Sequence, residues 1–403
     1  MALARVDPGL TGACPLRRLT FPLGAIAVAA AAVAASLTLG DASPARATTK
    51  PAKAPPHPGT TWQTASPASV GLDAKALDRI AARAKRGKSN CLVVVRDGKV
   101  AGQWYFHGTG PNTTQNVWSV TKSFASTLVG IAQDDGDLRI ADRASTWIPT
   151  WQGTPSDAVT VQDVLSMVSG RQWSFFSDYI GLLGASDRTK YAVGLGQSKA
   201  PGTTWTYNNA GVQTLEQILQ RATGQDVAAF AETRLFRPLG MTRTRMTRDR
   251  AGNPQLFEGI QSTCLDLARF GQLMLDEGTW GGKQIVSSSW VEHATGRSSS
   301  SLNAGYGYLW WLNHRGTLAS PFAATSLNGA KKQGKRPASQ IVPGAPRDLY
   351  WALGLGNQVI QVDPGTKTVV VRLGSAEPVP RPPTFGPAEA SKVVTKAVTS
   401  KSG

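Results

Sequence analysis

Val117-Trp118-Ser119-Val120-Thr121-Lys122-Ser123-Phe124-Ala125-Ser126-Thr127-Leu128-Val129-Gly130-Ile131-Ala132 is the stretch around which the chain is organised. Val120, Phe124, Leu128 and Ile131 recur at helical spacing, with Ala125, Val129 and Ala132 beside them. So wide an apolar stripe predicts a buried or nearly buried helix, ended by Asp134-Asp135-Gly136. Ser119 falls at its start and Lys122 one turn on, on the same face. A lysine withdrawn from water tends to lose its proton, and a neutral amine beside a hydroxyl can turn it into a nucleophile. The helix N-terminus favours negative charge developing there. Spacing alone does not establish this chemistry. Composition by itself predicts about one Ser-x-x-Lys pair, and the chain holds one. Taken alone, the stretch reads as a core helix capped by Ser119, with Lys122 reaching outward.

Outward from this helix, the flanking patterns set the fold class. Leu72 to Ala84 reads as a helix. Cys91 to Val95 and Val100 to Phe106 are β-rich runs on either side of Asp97-Gly98, a hairpin signal. From 119 to about 300 the pattern is mainly helical, with helices expected at Val161–Val168, Gly211–Ala222 and Leu265–Met274. Strands return at Tyr306–Leu312, Trp351–Leu353, Gln358–Val362 and Thr368–Leu373, and Pro387–Val398 reads as a closing helix. The expectation is α+β: one antiparallel sheet built from N- and C-terminal strands, flanked by helices, with a large, mainly helical insert.

Residues 1–47 read as an export signal. Arg17-Arg18 precede an apolar run, and Ala45-Arg46-Ala47 gives a small-x-small cleavage site. Cleavage there removes four arginines and two aspartates and lowers the net charge from +17 to +15. Export with no stable membrane span afterwards is the expectation, to a secreted or cell-envelope location. Residues 48–65 form a Pro/Thr/Lys-rich linker, and 66–400 the folded domain. A Gly/Ser/Lys/Pro-rich insertion at 315–347 interrupts that domain. The basic balance favours anionic surroundings such as a cell-wall polymer, but no nucleic-acid motif is present. Cys91 and Cys264 remain after cleavage, either paired or as two isolated thiols. The four histidines are widely separated in sequence, so no metal site is expected.

Two further segments carry chemistry. In Trp205-Thr206-Tyr207-Asn208-Asn209, Tyr207 and Asn209 alternate on an extended piece and can point the same way. A tyrosine beside a lysine suits proton transfer, and an amide can hold a lysine or a substrate carbonyl. In Gly354-Leu355-Gly356-Asn357-Gln358 the glycines mark close approach by another group, with a backbone N–H of Gly356 or Asn357 as the oxyanion donor. Each segment also reads simply, as a turn or a bulge.

Together these residues resemble the penicillin-recognising serine hydrolases, in particular the class C β-lactamase-like branch of esterases, D-aminopeptidases and nylon-oligomer hydrolases. The resemblance spans roughly 66–400. It rests on Ser119-Val120-Thr121-Lys122, Tyr207-Asn208-Asn209, Val161–Gly170, Arg237-Pro238-Leu239-Gly240-Met241 and Ser262–Phe270 in this order. It implies Ser119 as the acylated nucleophile, Lys122 and Tyr207 sharing the general-base and general-acid work, and Asn209 positioning Lys122 and substrate. The backbone N–H groups of Ser119 and of a residue near Asn357 would form the oxyanion hole, with no metal and no cofactor. The family's Lys-Thr-Gly is replaced here by Gly354-Leu355-Gly356, which favours ester or amide substrates over β-lactams. Trp173, Phe175, Phe176 and Tyr179 would line an acyl pocket, with Tyr179 donating to an amide leaving group; packing of a surface loop is the plainer alternative. Cell-wall D-Ala-D-Ala carboxypeptidase or D-aminopeptidase chemistry, weak β-lactamase activity, and a non-catalytic binding protein of the same fold are the other readings. A Ser-His-Asp hydrolase is disfavoured, because no Gly-x-Ser-x-Gly elbow occurs.

Overall fold

In the computed structural model, which describes residues 59, 61–319, 339–375 and 384–399, Leu92-Val93-Val94-Val95 has no solvent-exposed side chain. Such a run belongs to a strand covered on both faces. It lies in β1 (Ser89–Arg96), which turns through Asp97 (φ 48°) and Gly98 (φ 70°) into β2 (Lys99–Tyr105). Two successive positive φ angles match the right-handed twist of a two-residue hairpin. β3 (Trp311–Leu312), β4 (Tyr350–Gly354), β5 (Gln358–Asp363) and β6 (Thr368–Gly374) complete a six-stranded sheet of order β2-β1-β6-β5-β4-β3. Every neighbouring pair is antiparallel. The first strands therefore pair with the last, and the chain between them is the expected insert.

Alternation along the strands builds two cores. Val93, Val95, Ile360, Val362, Val369 and Val371 join one apolar cluster, and Leu92, Val94, Val359 and Val370 the other. The first cluster takes in α2 (Thr121–Asp134) and α4 (Cys264–Leu275), and the second α1 (Ala74–Arg86). α4 lies hard on the sheet: a Cβ at Gly271 would stand 2.5 Å from the Val369 side chain. Cys91 of β1 and Cys264 at the start of α4 are joined by a disulfide.

Local capping moved several expected boundaries. Asp73 accepts from Ala76 N–H and starts α1 later than Leu72. The helix expected at Val161–Val168 covers only Val161–Leu165, opened by a Thr160–Asp163 capping box. The strand expected at Tyr306–Leu312 is reduced to Trp311–Leu312, because Leu309 takes a positive φ of 59°. The closing helix is two pieces, Pro387–Ala390 and a π-turn at Val393–Ala397. A three-stranded sheet of Gln115–Asn116, Ile260–Ser262 and Arg245–Met246 was not foreseen.

The expected linker is in part bound to the fold. Trp62 donates to the Leu265 carbonyl at 3.2 Å, and Ala65 N–H to Val100 at 3.0 Å. Gly316 and Ser339 exchange two backbone hydrogen bonds and close the base of the 315–347 insertion. The export signal at 1–47 and residues 320–338 of that insertion lie outside the described residues. Among the described residues, no helix is long and apolar enough to cross a membrane.

Candidate active site

The residues of α2 from Thr121 to Ala132 are all buried, as the apolar stripe requires. Ser119 precedes them in a short 3-10 turn, Trp118–Val120, and is only partly buried, within reach of a ligand. Trp118 takes a positive φ of 52°, held by its N–H on Asn116 Oδ1 at 2.7 Å. A bulky residue rarely adopts that backbone, and it stands immediately before Ser119.

Lys122 is 1% exposed. Its Nζ stands 2.8 Å from Ser119 Oγ and donates to the Phe257 carbonyl at 2.9 Å. The strand Ile260–Ser262 supplies that carbonyl's position: Val117 N–H donates to Ile260 O, and Ile260 N–H to Thr121 Oγ1, both at 3.0 Å. Burial lowers the Lys122 pKa to about 7, against the opposing charges of Asp178 and Glu258. At neutral pH a large share of Lys122 is therefore a free amine.

Tyr207 lies across the same hydroxyl. Its ring centroid is 4.9 Å from Lys122 Nζ, and its own hydroxyl faces Ser119. Aromatic neighbours fix the ring: Trp311 of β3 stacks on it at 5.8 Å, and Tyr306 meets it edge-on at 6.4 Å. Burial pushes the Tyr207 pKa well above the ordinary tyrosine range, only partly offset by the Ser119 contact. Tyr207 stays protonated at neutral pH, so the Lys122 amine is the readier proton acceptor of the two.

Asn209 opens α3 (Asn209–Thr223), whose N-cap Asn208 accepts from Gly211 N–H at 2.6 Å. Its amide nitrogen is taken by Asp178, and its Oδ1 is buried with no hydrogen-bond partner among the described residues. Asn209 Nδ2 donates to Asp178 Oδ2 at 2.8 Å, and the N–H groups of Asn209 and Ala210 donate to the same carboxylate at 3.1 and 2.8 Å. Asp178 is thus a buried carboxylate on the N-terminus of α3 that also acts on Lys122. Sequence reading passed over it. The only signal was an acidic residue inside an otherwise aromatic run. Tyr179, next in the chain, turns its hydroxyl to Asn209, and burial pushes its pKa up to about 12.

On the opposite bank, Gly354 ends β4. A Cβ there would stand 2.3 Å from the Val117 carbonyl, so this glycine is what lets the strand meet the nucleophile segment. Gly356 and Asn357, the expected oxyanion donors, form the turn beyond it with positive φ. Arg372 of β6 grips both of their carbonyls from beneath, while Gln358 Nε2 holds Leu355 O at 3.0 Å. Gly354, the residue against the Val117 carbonyl, lies just before the two residues that sequence had singled out. Lys367 sits in the turn at the far end of β5, beyond the Asp363–Thr368 pair. Among the described residues, no group of three or more His, Cys, Asp or Glu side chains could hold a metal ion.

The family model described as Beta-lactamase matches residues 77–390. The chain is 26% identical over 326 residues to the 6-aminohexanoate-dimer hydrolase of Paenarthrobacter ureafaciens, covering 76% of this chain and 78% of that one. Two solved structures share the fold. A penicillin-binding protein homologue from Caulobacter crescentus superposes with a TM-score of 0.58, 15% identity, over 80% of this chain and 97% of its own. The D-alanine carboxypeptidase AmpC from Burkholderia cenocepacia gives 0.52, 20% identity, over 79% and 99%.

Proposed function

Because the chain belongs to the beta-lactamase family and is a serine hydrolase, we propose that it is exported and cleaves ester or amide bonds through an acyl-enzyme on Ser119. The observation that carries this reading is the 2.8 Å contact between the Ser119 hydroxyl and a buried Lys122 whose pKa burial lowers to about 7. Lys122 takes the Ser119 proton as Oγ adds to the scissile carbonyl. The oxyanion that forms accepts hydrogen bonds from the Ser119 N–H and from the Gly354–Leu355 end of β4. The tetrahedral species then collapses and the bond to the leaving group breaks. The departing alcohol or amine takes a proton from Tyr207, which is replenished from Lys122. Water adds to the acyl-enzyme by the same proton route in reverse and frees the acid.

A fluorophosphonate label tests this. It should attach to Ser119 in the intact protein and not in Ser119→Ala, which should also lose p-nitrophenyl ester turnover. An alanine variant that hydrolyses esters at the wild-type rate overturns the assignment.

A further inference from the structure

The most exposed large apolar side chains among the described residues are Phe175, Phe176, Ile180, Leu183 and Leu355, each between 37% and 69% exposed. All five lie on two segments of the site, one that carries Asp178, whose charge acts on Lys122, and one beside Gly354, which abuts Val117. Four belong to the helical stretch 175–184, whose opposite side is pinned. There Asp178 holds the start of α3, and Tyr191 packs on Gly181 and donates to the Ser177 carbonyl at 3.1 Å. The fifth, Leu355, follows the glycine that abuts Val117.

Outward apolar side chains of this size are costly to leave in water, and their concentration at a site marks what that site receives. The patch is also continuous with the chemistry. Tyr179 faces Asn209, and the Phe175 ring stacks on Tyr179 with centroids 5.2 Å apart. A substrate placed on Ser119 therefore leaves the polar groups along an aromatic wall, not into solvent.

We propose that the substrate carries an extended aliphatic chain, laid on the Phe175–Leu183 bank opposite Leu355. The proposal rests on the serine hydrolase reading above and narrows its substrate class. A chain joined to the scissile carbonyl and one joined to the leaving group share this chemistry, and two substrate series separate them: p-nitrophenyl alkanoates, and acetate esters of primary alcohols, each from two to ten carbons.

Half-burial of each added methylene corresponds to about a twofold gain, so kcat/KM should rise at least tenfold between two and eight carbons in one series. Phe176→Ser combined with Ile180→Ser, both at exposed positions, should reduce that ratio to under threefold. Labelling of Ser119 should likewise be faster with a dodecyl than with an ethyl fluorophosphonate. Flat or falling profiles in both series, with short esters still turned over, overturn the proposal and leave the hydrolase reading intact. A rise that the double variant does not alter overturns it too. So does a wild-type dimer that the double variant dissociates, since the patch would then be covered by a second copy. No labelling by either fluorophosphonate overturns the hydrolase reading, and this inference with it.

Discussion

Lys122 Nζ lies 2.8 Å from Ser119 Oγ on a side chain that water scarcely reaches. One pH profile follows. A base whose pKa is lowered to about 7 is active when deprotonated. kcat/KM for a neutral ester should rise with pH through about 7 and then level off. A rise delayed to near pH 10 would mean an ordinary charged lysine. The same shift makes Lys122 a stability liability. Between pH 7 and 10.5 the unfolded chain binds the proton and the folded one does not, so stability rises with pH across that window. Lys122→Met should abolish activity and raise the midpoint of thermal unfolding. The gain should be largest below pH 7 and fade towards pH 10.5.

Asp178 receives three N–H donors from Asn209 and Ala210 and raises the Lys122 pKa by its charge. Asp178→Asn puts an amide where donors converge and removes that charge. Stability should fall by about 1–3 kcal/mol. The acid limb of the kcat/KM profile should move to lower pH, because the ammonium form of Lys122 loses a stabilising neighbour. An acid limb unmoved after substitution would reduce Asp178 to a structural cap.

Tyr207→Phe keeps the ring that stacks on Trp311 and meets Tyr306, and deletes the group facing Ser119. Folding stability should change by less than about 1 kcal/mol, while kcat falls by about 10²–10⁴. Denaturant titration beside steady-state kinetics separates the two. Near-normal kcat would remove Tyr207 from the proton route.

Gly354→Ala drives a Cβ against the Val117 carbonyl, which stands 2.3 Å from its position and is itself backbone. Strand or nucleophile segment must move, and a displacement of about 1 Å is enough to cost about 100-fold in rate. The measurement is single-turnover acylation with a chromogenic ester. A variant acylating at the wild-type rate would show that β4 does not fix this edge.

The Cys91–Cys264 bridge spans 173 residues and ties β1 to α4. The chain-entropy model puts its ceiling at about 5 kcal/mol. Cys91→Ser with Cys264→Ser should lower the unfolding free energy by about 3–5 kcal/mol, measured by denaturant titration. Loss of less than about 1 kcal/mol would show that the helix–sheet packing carries the junction unaided.

Much of this was legible in the chain. The buried helix after Ser119, the Asp97-Gly98 hairpin, the strands at both ends and the body of α3 all rest on patterns that repeat within a few residues. Side-chain periodicity, turn geometry and capping are local interactions, so local sequence carries them. The i,i+3 spacing that puts Ser119 and Lys122 on one helical face belongs to the same class.

The surroundings that give that pair its chemistry were not legible. The Phe257 carbonyl on Lys122 comes from 135 residues away and belongs to the backbone, which carries no side-chain signal. Asp178 was one acidic residue in an aromatic run until folding laid it on the start of α3. Gly354 is the residue against the Val117 carbonyl, and sheet register sets that contact, which no local pattern announces. Residue order singled out Ser119, Lys122 and Tyr207; burial, register and distant backbone partners, which depend on the whole packed chain, decided their neighbours and the lowered Lys122 pKa.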